Sequence, residues 1–384
     1  MTPDQTSDQA RGPAGRQDGA GPRFTRTEDE QQTGAVIGSA GGRTTGGSSR
    51  RRRPGGRRRH GPGAETMVEE AEFTSYYGRA VVKPAPWELD IPAYLFSGGL
   101  AAGTAMIAAA ADLTGRPGLR RGSRLGSLAA VAFSGATLVH DLGKPSRFAY
   151  MLRVAKLTSP MSVGTWILTA FAPGAGVAGV AEVLDLVPED RRGRLLGTAH
   201  ALSRLVARPA NLWAALFGPP LAAYTAVLLS DTATPTWHES YRELPFVFVS
   251  SALAASSGWG MIVAPLAEID PLRRLAIGAA LVEIGAERRM EHSLGIAAEP
   301  LHEGRAGQLM RASAVLTVAG AAGAAFGGRS RVVSALAGAA LMAGSACTRF
   351  GIFHAGIESA KDPKYTVLPQ RERLEREGPT RHPE

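Results

Sequence analysis

The sequence of 384 residues predicts an all-α integral membrane protein, and three observations carry that expectation. Its apolar residues are bunched into eight stretches, most of them near the roughly 20 residues a helix needs to cross hydrocarbon. Small residues crowd these stretches, as in Gly98, Gly99, Ala101, Ala102 and Gly103 or Gly320, Ala321, Ala322 and Gly323, which lets helix backbones approach closely in lipid. The polar residues gather between and outside the stretches, so a mean hydropathy near zero averages two unlike populations.

The first 66 residues are rich in Gly, Arg, Ser, Thr and Gln and lack apolar periodicity, which predicts a disordered tail. This tail holds twelve Arg, no Lys and seven acidic residues, and so supplies five of the nine formal positive charges. Arg50 to Arg53 and Arg57 to Arg59 superficially suggest a twin-arginine signal, but no apolar segment follows for about 30 residues, so a signal peptide is rejected. Met67 is an alternative start. Residues 67–91 then form a juxtamembrane segment, 92–354 a membrane domain, and 355–384 a polar C-terminal tail.

The expected spans run from Pro92 to Ala111, Gly122 to Val139, Met161 to Leu184, Ala210 to Leu229, Leu244 to Leu266, Leu272 to Ile284, Leu309 to Phe326 and Val332 to Phe353. The sixth is the shortest and carries Glu283, with Glu287, Arg288 and Arg289 close behind. It reads as a short or tilted span with an inward-facing acid, or else as an interfacial helix. An even number of spans puts both termini on one side. The opposite loops carry Arg116, Arg120, Arg121 and Arg124, then Arg191, Arg192, Arg194, Arg204 and Arg208, then Arg273, Arg274, Arg329 and Arg331, which leans toward a cytoplasmic placement of those loops.

Basic residues are not interleaved with aromatics, so nucleic-acid binding is not expected. The single cysteine, Cys347, excludes an intrachain disulfide, and one thiolate cannot hold an iron–sulfur cluster or a structural zinc ion. Cluster chemistry would have to come from a partner.

The most informative polar stretch is His140-Asp141-Leu142-Gly143-Lys144-Pro145-Ser146-Arg147-Phe148, between the second and third spans. Gly143 can take the left-handed conformation that closes a helix, and Pro145 prevents continuation. Arg147 to Leu157 alternates basic and apolar residues, which suits a short interfacial helix. Ser159-Pro160 offers an N-cap and a favoured first residue for the third span. His140 and Asp141 therefore belong at a membrane mouth. There they suit a site where a lipid-soluble quinone exchanges electrons and protons, since such a site needs an apolar slot, hydrogen-bond donors and a group titrating near neutrality. The plainer reading is a charged helix end in which Asp141 pairs with Lys144 or Arg147.

Entry to the first span adds Trp87, Glu88, Asp90 and Tyr94 on the same side as that loop. Trp87 reads as an interfacial anchor. Asp90 and Tyr94 are four apart and share a helical face, so both can turn into one pocket. His292 and His354 fall at terminal-side helix ends, where paired haem ligation would not place them. Arg349, inside the last span, needs a partner, and Glu283 is the acid expected to form an intramembrane ion pair with it.

Trp87-Glu88-Leu89-Asp90-Ile91-Pro92-Ala93-Tyr94-Leu95-Phe96-Ser97-Gly98-Gly99-Leu100-Ala101-Ala102-Gly103, the His140 to Phe148 loop, and Thr158-Ser159-Pro160-Met161-Ser162-Val163-Gly164-Thr165-Trp166 resemble the NrfD/PsrC family of polysulfide reductase-like integral membrane subunits. Ala360-Lys361-Asp362-Pro363-Lys364-Tyr365, with Pro369-Gln370-Arg371, is similar to the C-terminal end of its actinobacterial branch. The resemblance spans about Tyr76 to Arg373 and is more specific in its first half. It implies eight transmembrane helices in two four-helix bundles, a quinone site near one face, and no metal or haem in this chain. By the same resemblance the chain is a non-catalytic membrane anchor. It would join a four-cluster ferredoxin-like iron–sulfur subunit, wired to a molybdopterin catalytic subunit of the formate dehydrogenase or polysulfide reductase type, to the menaquinone pool. Asp90, Tyr94, His140, Asp141 and Arg147 are the expected quinone-binding or proton-transfer residues. Two rivals remain at this level: a secondary transporter, favoured by the Gly218-Pro219-Pro220 break and the irregular sixth span, and a haem-bearing cytochrome b.

Overall fold

The computed structural model describes residues 80–328 and 330–377. The expected tail over 1–66, the alternative start at Met67, the first part of the juxtamembrane segment, and Arg329 lie outside the described residues. Long uncharged runs rich in Ala, Leu and Gly propagate as helix because in hydrocarbon every backbone N–H must be satisfied within its own segment. Among the described residues eight helices have twenty or more residues: α1 Asp90–Leu113, α2 Pro117–Asp141, α3 Pro160–Asp185, α4 Arg194–Ser230, α5 Leu244–Val263, α6 Asp270–Leu294, α7 Gly304–Phe326 and α8 Arg331–Lys361. A ninth, α9 Lys364–Glu377, follows α8.

Six of these (α1, α3, α4, α5, α7 and α8) are long and apolar enough to cross a membrane, and α2 makes a seventh if counted with the short segment that bends away from it by 106°. The sixth expected span falls on α6, which is long enough but carries too many charges for that criterion. Its helix runs ten residues beyond Ile284, because Glu287, Arg288, Arg289 and Glu291 are good helix formers and nothing in that stretch breaks the backbone.

Two further boundaries differ from expectation. α4 begins at Arg194, so Arg194, Arg204 and Arg208 ride on helix rather than loop, and it continues through Pro209, Pro219 and Pro220. The expected break at Gly218-Pro219-Pro220 is therefore not a discontinuity. The interfacial helix expected from Arg147 to Leu157 shrinks to a 3-10 turn at Pro145–Arg147 and one turn at Phe148–Met151, after which the chain runs irregularly to Pro160.

α1 lies at the centre, packed on α2, α4, α5 and α8. The remaining neighbours are α2 with α3, α3 with α4, α5 with α2, α4, α6 and α8, and α7 with α8 and α6. The small residues work here as the sequence suggests. A Cβ on Gly103 would come within 2.2 Å of Ser256 Oγ, and one on Gly258 within 2.5 Å of the Gly338 carbonyl oxygen, so α1–α5 and α5–α8 close only because those positions are bare. Buried hydroxyls add directed bonds, with Ser97 Oγ 2.7 Å from Ser134 Oγ and Ser127 Oγ donating to the Ala101 carbonyl at 3.0 Å. On the face away from His140, Arg124 meets Glu182 at 3.0 Å and Arg208 meets Asp112 at 3.3 Å, which ties α1 to α4 together.

A candidate quinone pocket at the mouth of the first four helices

Helix α2 stops where its sequence says it should. Gly143 adopts φ +65°, a conformation costly for residues with a Cβ, and Pro145 opens the bent turn. Ser159 caps α3 by accepting from the Ser162 N–H, with Pro160 first in the helix. These two stops place the start of α1, the end of α2, the start of α3 and the end of α4 around one mouth.

Between them lies a cavity of about 100 Å³. By the space one water occupies, this is room for several waters or for one flat ring. Trp87, Ile91 and Tyr94 line it from the α1 side, Leu138 and Asp141 from α2. Phe148 and Met151 cover it from the short turn, and Met161, Thr165, Leu168 and Tyr224 close it from α3 and α4. The lining is mostly apolar, and its polar side-chain groups are few: two phenols, one hydroxyl, one indole N–H and one carboxylate.

Tyr94 is 1% exposed, and its hydroxyl is buried without a hydrogen-bond partner. Leaving such a group unpaired costs about 1–3 kcal/mol, so the hydroxyl is a donor that no protein group uses. The Tyr94 and Tyr224 rings stand 6.4 Å apart at 52°. Tyr224 reaches this position because Gly164 has no side chain: a Cβ there would lie 2.0 Å from the ring. Thr165 spends its hydroxyl on the Met161 carbonyl at 2.9 Å, so it offers only a lone pair to the cavity.

The expected site residues divide into two groups. Tyr94 and Asp141 line the cavity, whereas Asp90, His140 and Arg147 do not. Asp90 and His140 do meet: His140 Nδ1 donates to Asp90 Oδ2 at 2.8 Å, which sets the imidazole at the rim with 78% of its side chain exposed. Arg147 is exposed and turns back to the Leu142 carbonyl at 3.5 Å. Asp141 has no ion pair with either Lys144 or Arg147, so the plain salt-bridged helix end does not form. Trp87 is half-buried and stacks on buried Trp237 at 5.8 Å.

A model of the family described as polysulphide reductase, NrfD, matches residues 80–270. Over those residues the chain belongs to the NrfD family. NrfD proteins are integral membrane subunits of quinone-interacting oxidoreductase complexes, and the apolar helices of this chain make it a multi-pass membrane protein. They typically partner with iron–sulfur and molybdopterin subunits. No curated protein matches the chain.

The NrfD match covers α1 to α5, so the cavity lies wholly inside it, whereas α6 to α8 lie beyond. In that outer part Glu283 and Arg349 act on each other electrostatically, as expected, but without a direct nitrogen–oxygen contact. Both side chains are buried, but Arg349 Nη2 donates to the Phe248 carbonyl and its guanidinium lies 3.7 Å over the Phe248 ring, while Glu283 Oε1 accepts from Thr348 at 3.0 Å. The cation takes the aromatic face and carbonyl of α5 because these are closer to its planar fork than the carboxylate is. Among the described residues no group of three His, Cys, Asp or Glu is placed to hold a metal ion.

The last motif quoted from the sequence has a visible purpose. Lys364 Nζ meets Glu299 at 2.8 Å, Tyr365 donates to the same carboxylate at 3.2 Å, and Asp362 accepts the Lys364 backbone N–H at 2.9 Å. Its hydrogen bond with Lys364 holds the Glu299 carboxyl below the usual range, and the bond to Glu299 pushes the Lys364 ammonium up. The motif thereby clips the start of α9 to the connection between α6 and α7.

Proposed function

We propose that this chain is a quinone-reactive membrane anchor, passing electrons between a docked four-cluster iron–sulfur subunit, wired to a molybdopterin subunit of the formate dehydrogenase or polysulfide reductase type, and the menaquinone pool. Eight spans, with α1–α4 and α5–α8 as two four-helix bundles, complete the reading, supported by the helix neighbours within each set. The observation that carries the proposal is the buried, unpartnered Tyr94 hydroxyl in an apolar cavity.

A quinone held there takes up or gives back two electrons and two protons. Tyr94 donates its hydroxyl proton as a hydrogen bond to a ring oxygen, which fixes the ring and favours charge developing on that oxygen. Tyr224 and Leu168, which line the cavity, would pack against the quinone ring. Asp141 is both a lining residue and exposed, so its carboxylate carries protons between cavity and water. Asp90 orients His140, whose Nδ1–H it accepts, leaving Nε2 toward solvent as the next relay. The apolar lining and the cover from Phe148 and Met151 limit water around the ring.

The transporter reading loses the expected break in the fourth span, since α4 runs unbroken through Gly218-Pro219-Pro220, while α6, continuous but heavily charged, keeps the irregularity of the sixth. The decisive experiment is Tyr94→Phe in the assembled complex. Loss of one hydrogen bond to a ring oxygen is expected to lower quinone turnover about tenfold, by the 1–1.5 kcal/mol such a bond contributes, with artificial-dye activity unchanged. Undiminished quinone turnover would remove the assignment.

A further inference from the structure

A second, open groove lies between the start of α5 and the second half of α6, away from Tyr94 and independent of any quinone. Its walls are Phe246 and Val282, both exposed apolar side chains within helices, and its floor is Gly285 and Ala286. Arg242, Glu243 and Arg289 complete its lining. Arg242 uses Nε on the Tyr241 hydroxyl at 2.8 Å, and Arg289 turns Nε to Glu243 Oε1 at 3.6 Å. The outer nitrogens of both forks have no partner among the described residues. Glu243 is only 6% exposed, and its Oε2 is buried without a donor.

We propose that this groove binds one anionic phospholipid with a hydroxylated head group, of the phosphatidylglycerol type. The phosphate accepts from the free ends of Arg242 and Arg289, as basic pockets between membrane helices accept anionic head groups. A head-group hydroxyl donates to Glu243 Oε2, the one contact a phosphate alone cannot make because the carboxylate would repel it. An acyl chain lies along Phe246 and Val282 over Gly285, where a Cβ would meet nothing within 4 Å. A snorkelling Arg289 paired with Glu243 explains one nitrogen and one oxygen, and leaves the second carboxylate oxygen and both guanidinium ends unexplained.

The test uses the purified full-length chain in detergent, titrated with phosphatidylglycerol, phosphatidylmethanol, phosphatidylcholine or inorganic phosphate, and read by native mass spectrometry and melting midpoint. Phosphatidylglycerol is expected to bind and raise the midpoint; phosphatidylmethanol, equal in charge but without the hydroxyl, binds more weakly; phosphatidylcholine and phosphate do neither. Arg242→Ala with Arg289→Ala is expected to weaken binding about 25-fold, from roughly fivefold for each arginine. Gly285→Leu fills open space and so keeps the helical circular dichroism while blocking the chain. The proposal is overturned if phosphatidylcholine or phosphate matches phosphatidylglycerol, or if both sets of variants bind as the parent does. Equal binding of phosphatidylmethanol overturns the role of Glu243 and with it the hydroxylated head group.

Discussion

Asp90 holds His140 at the rim of the cavity instead of inside it, and this separates two residues that are adjacent in sequence. His140 is exposed at the rim and Asp141 lines the cavity, because successive residues on a helix point about 100° apart. Replacing each should therefore give unequal results. Asp141→Asn removes the proton-exchanging group at the cavity wall and is expected to slow quinone turnover about a hundredfold, within the range of positioned acid–base groups. His140→Ala removes a relay that water can replace, and is expected to cost only about two- to fivefold. Both are measured against dye-linked activity in the intact complex, and equal losses would refute the division of roles. The side on which His140 lies was legible from the sequence, whereas the spacing of Asp90 and Tyr94 suggested one shared pocket and only Tyr94 lines it. Tyr224 and the need for Gly164 were not legible, since that contact joins residues 60 positions apart in the chain.

At the scale of elements, stop signals were more legible than lengths. Gly143, Pro145, Ser159 and Pro160 each act as their local chemistry dictates. The extra turns of α4 and α6 were hidden because apolarity marks where a helix meets lipid, whereas a helix itself continues through arginines and glutamates. The clip between Lys364 and Glu299 makes a pH prediction for α9. The Glu299 carboxyl is depressed, so its contribution is present above the ordinary glutamate value of about 4.3 and is lost as pH falls through the depressed one. The Lys364 ammonium is raised, so its contribution is present below the ordinary lysine value of about 10.4 and is lost as pH rises through the raised one. After correction for the intrinsic exchange rate, amide protection in α9 is expected to be flat from about pH 5 to 10 and to fall on both sides. A steady slope across that window would exclude the clip.

For the molecule as a whole, the close crossing of α1 and α5 joins the helices that build the cavity to those that carry the lipid groove. Gly103→Ala would drive a methyl to 2.2 Å from Ser256 Oγ, so the two helices must part. The expected destabilisation is about 1–3 kcal/mol, the usual cost of overpacking, read as an earlier thermal unfolding transition of the chain in detergent. An unchanged midpoint would mean the crossing yields without cost. By itself the sequence determined that the chain is helical and membrane-embedded, where several helices end, and which polar residues gather at one mouth, because these follow from local hydrophobicity and backbone chemistry. Only the tertiary structure decided that Tyr94 and Asp141 line the cavity while His140 and Arg147 stay outside. It also decided that Arg349 makes its direct contacts with Phe248, since such choices depend on which distant side chain arrives at hydrogen-bond or van der Waals distance.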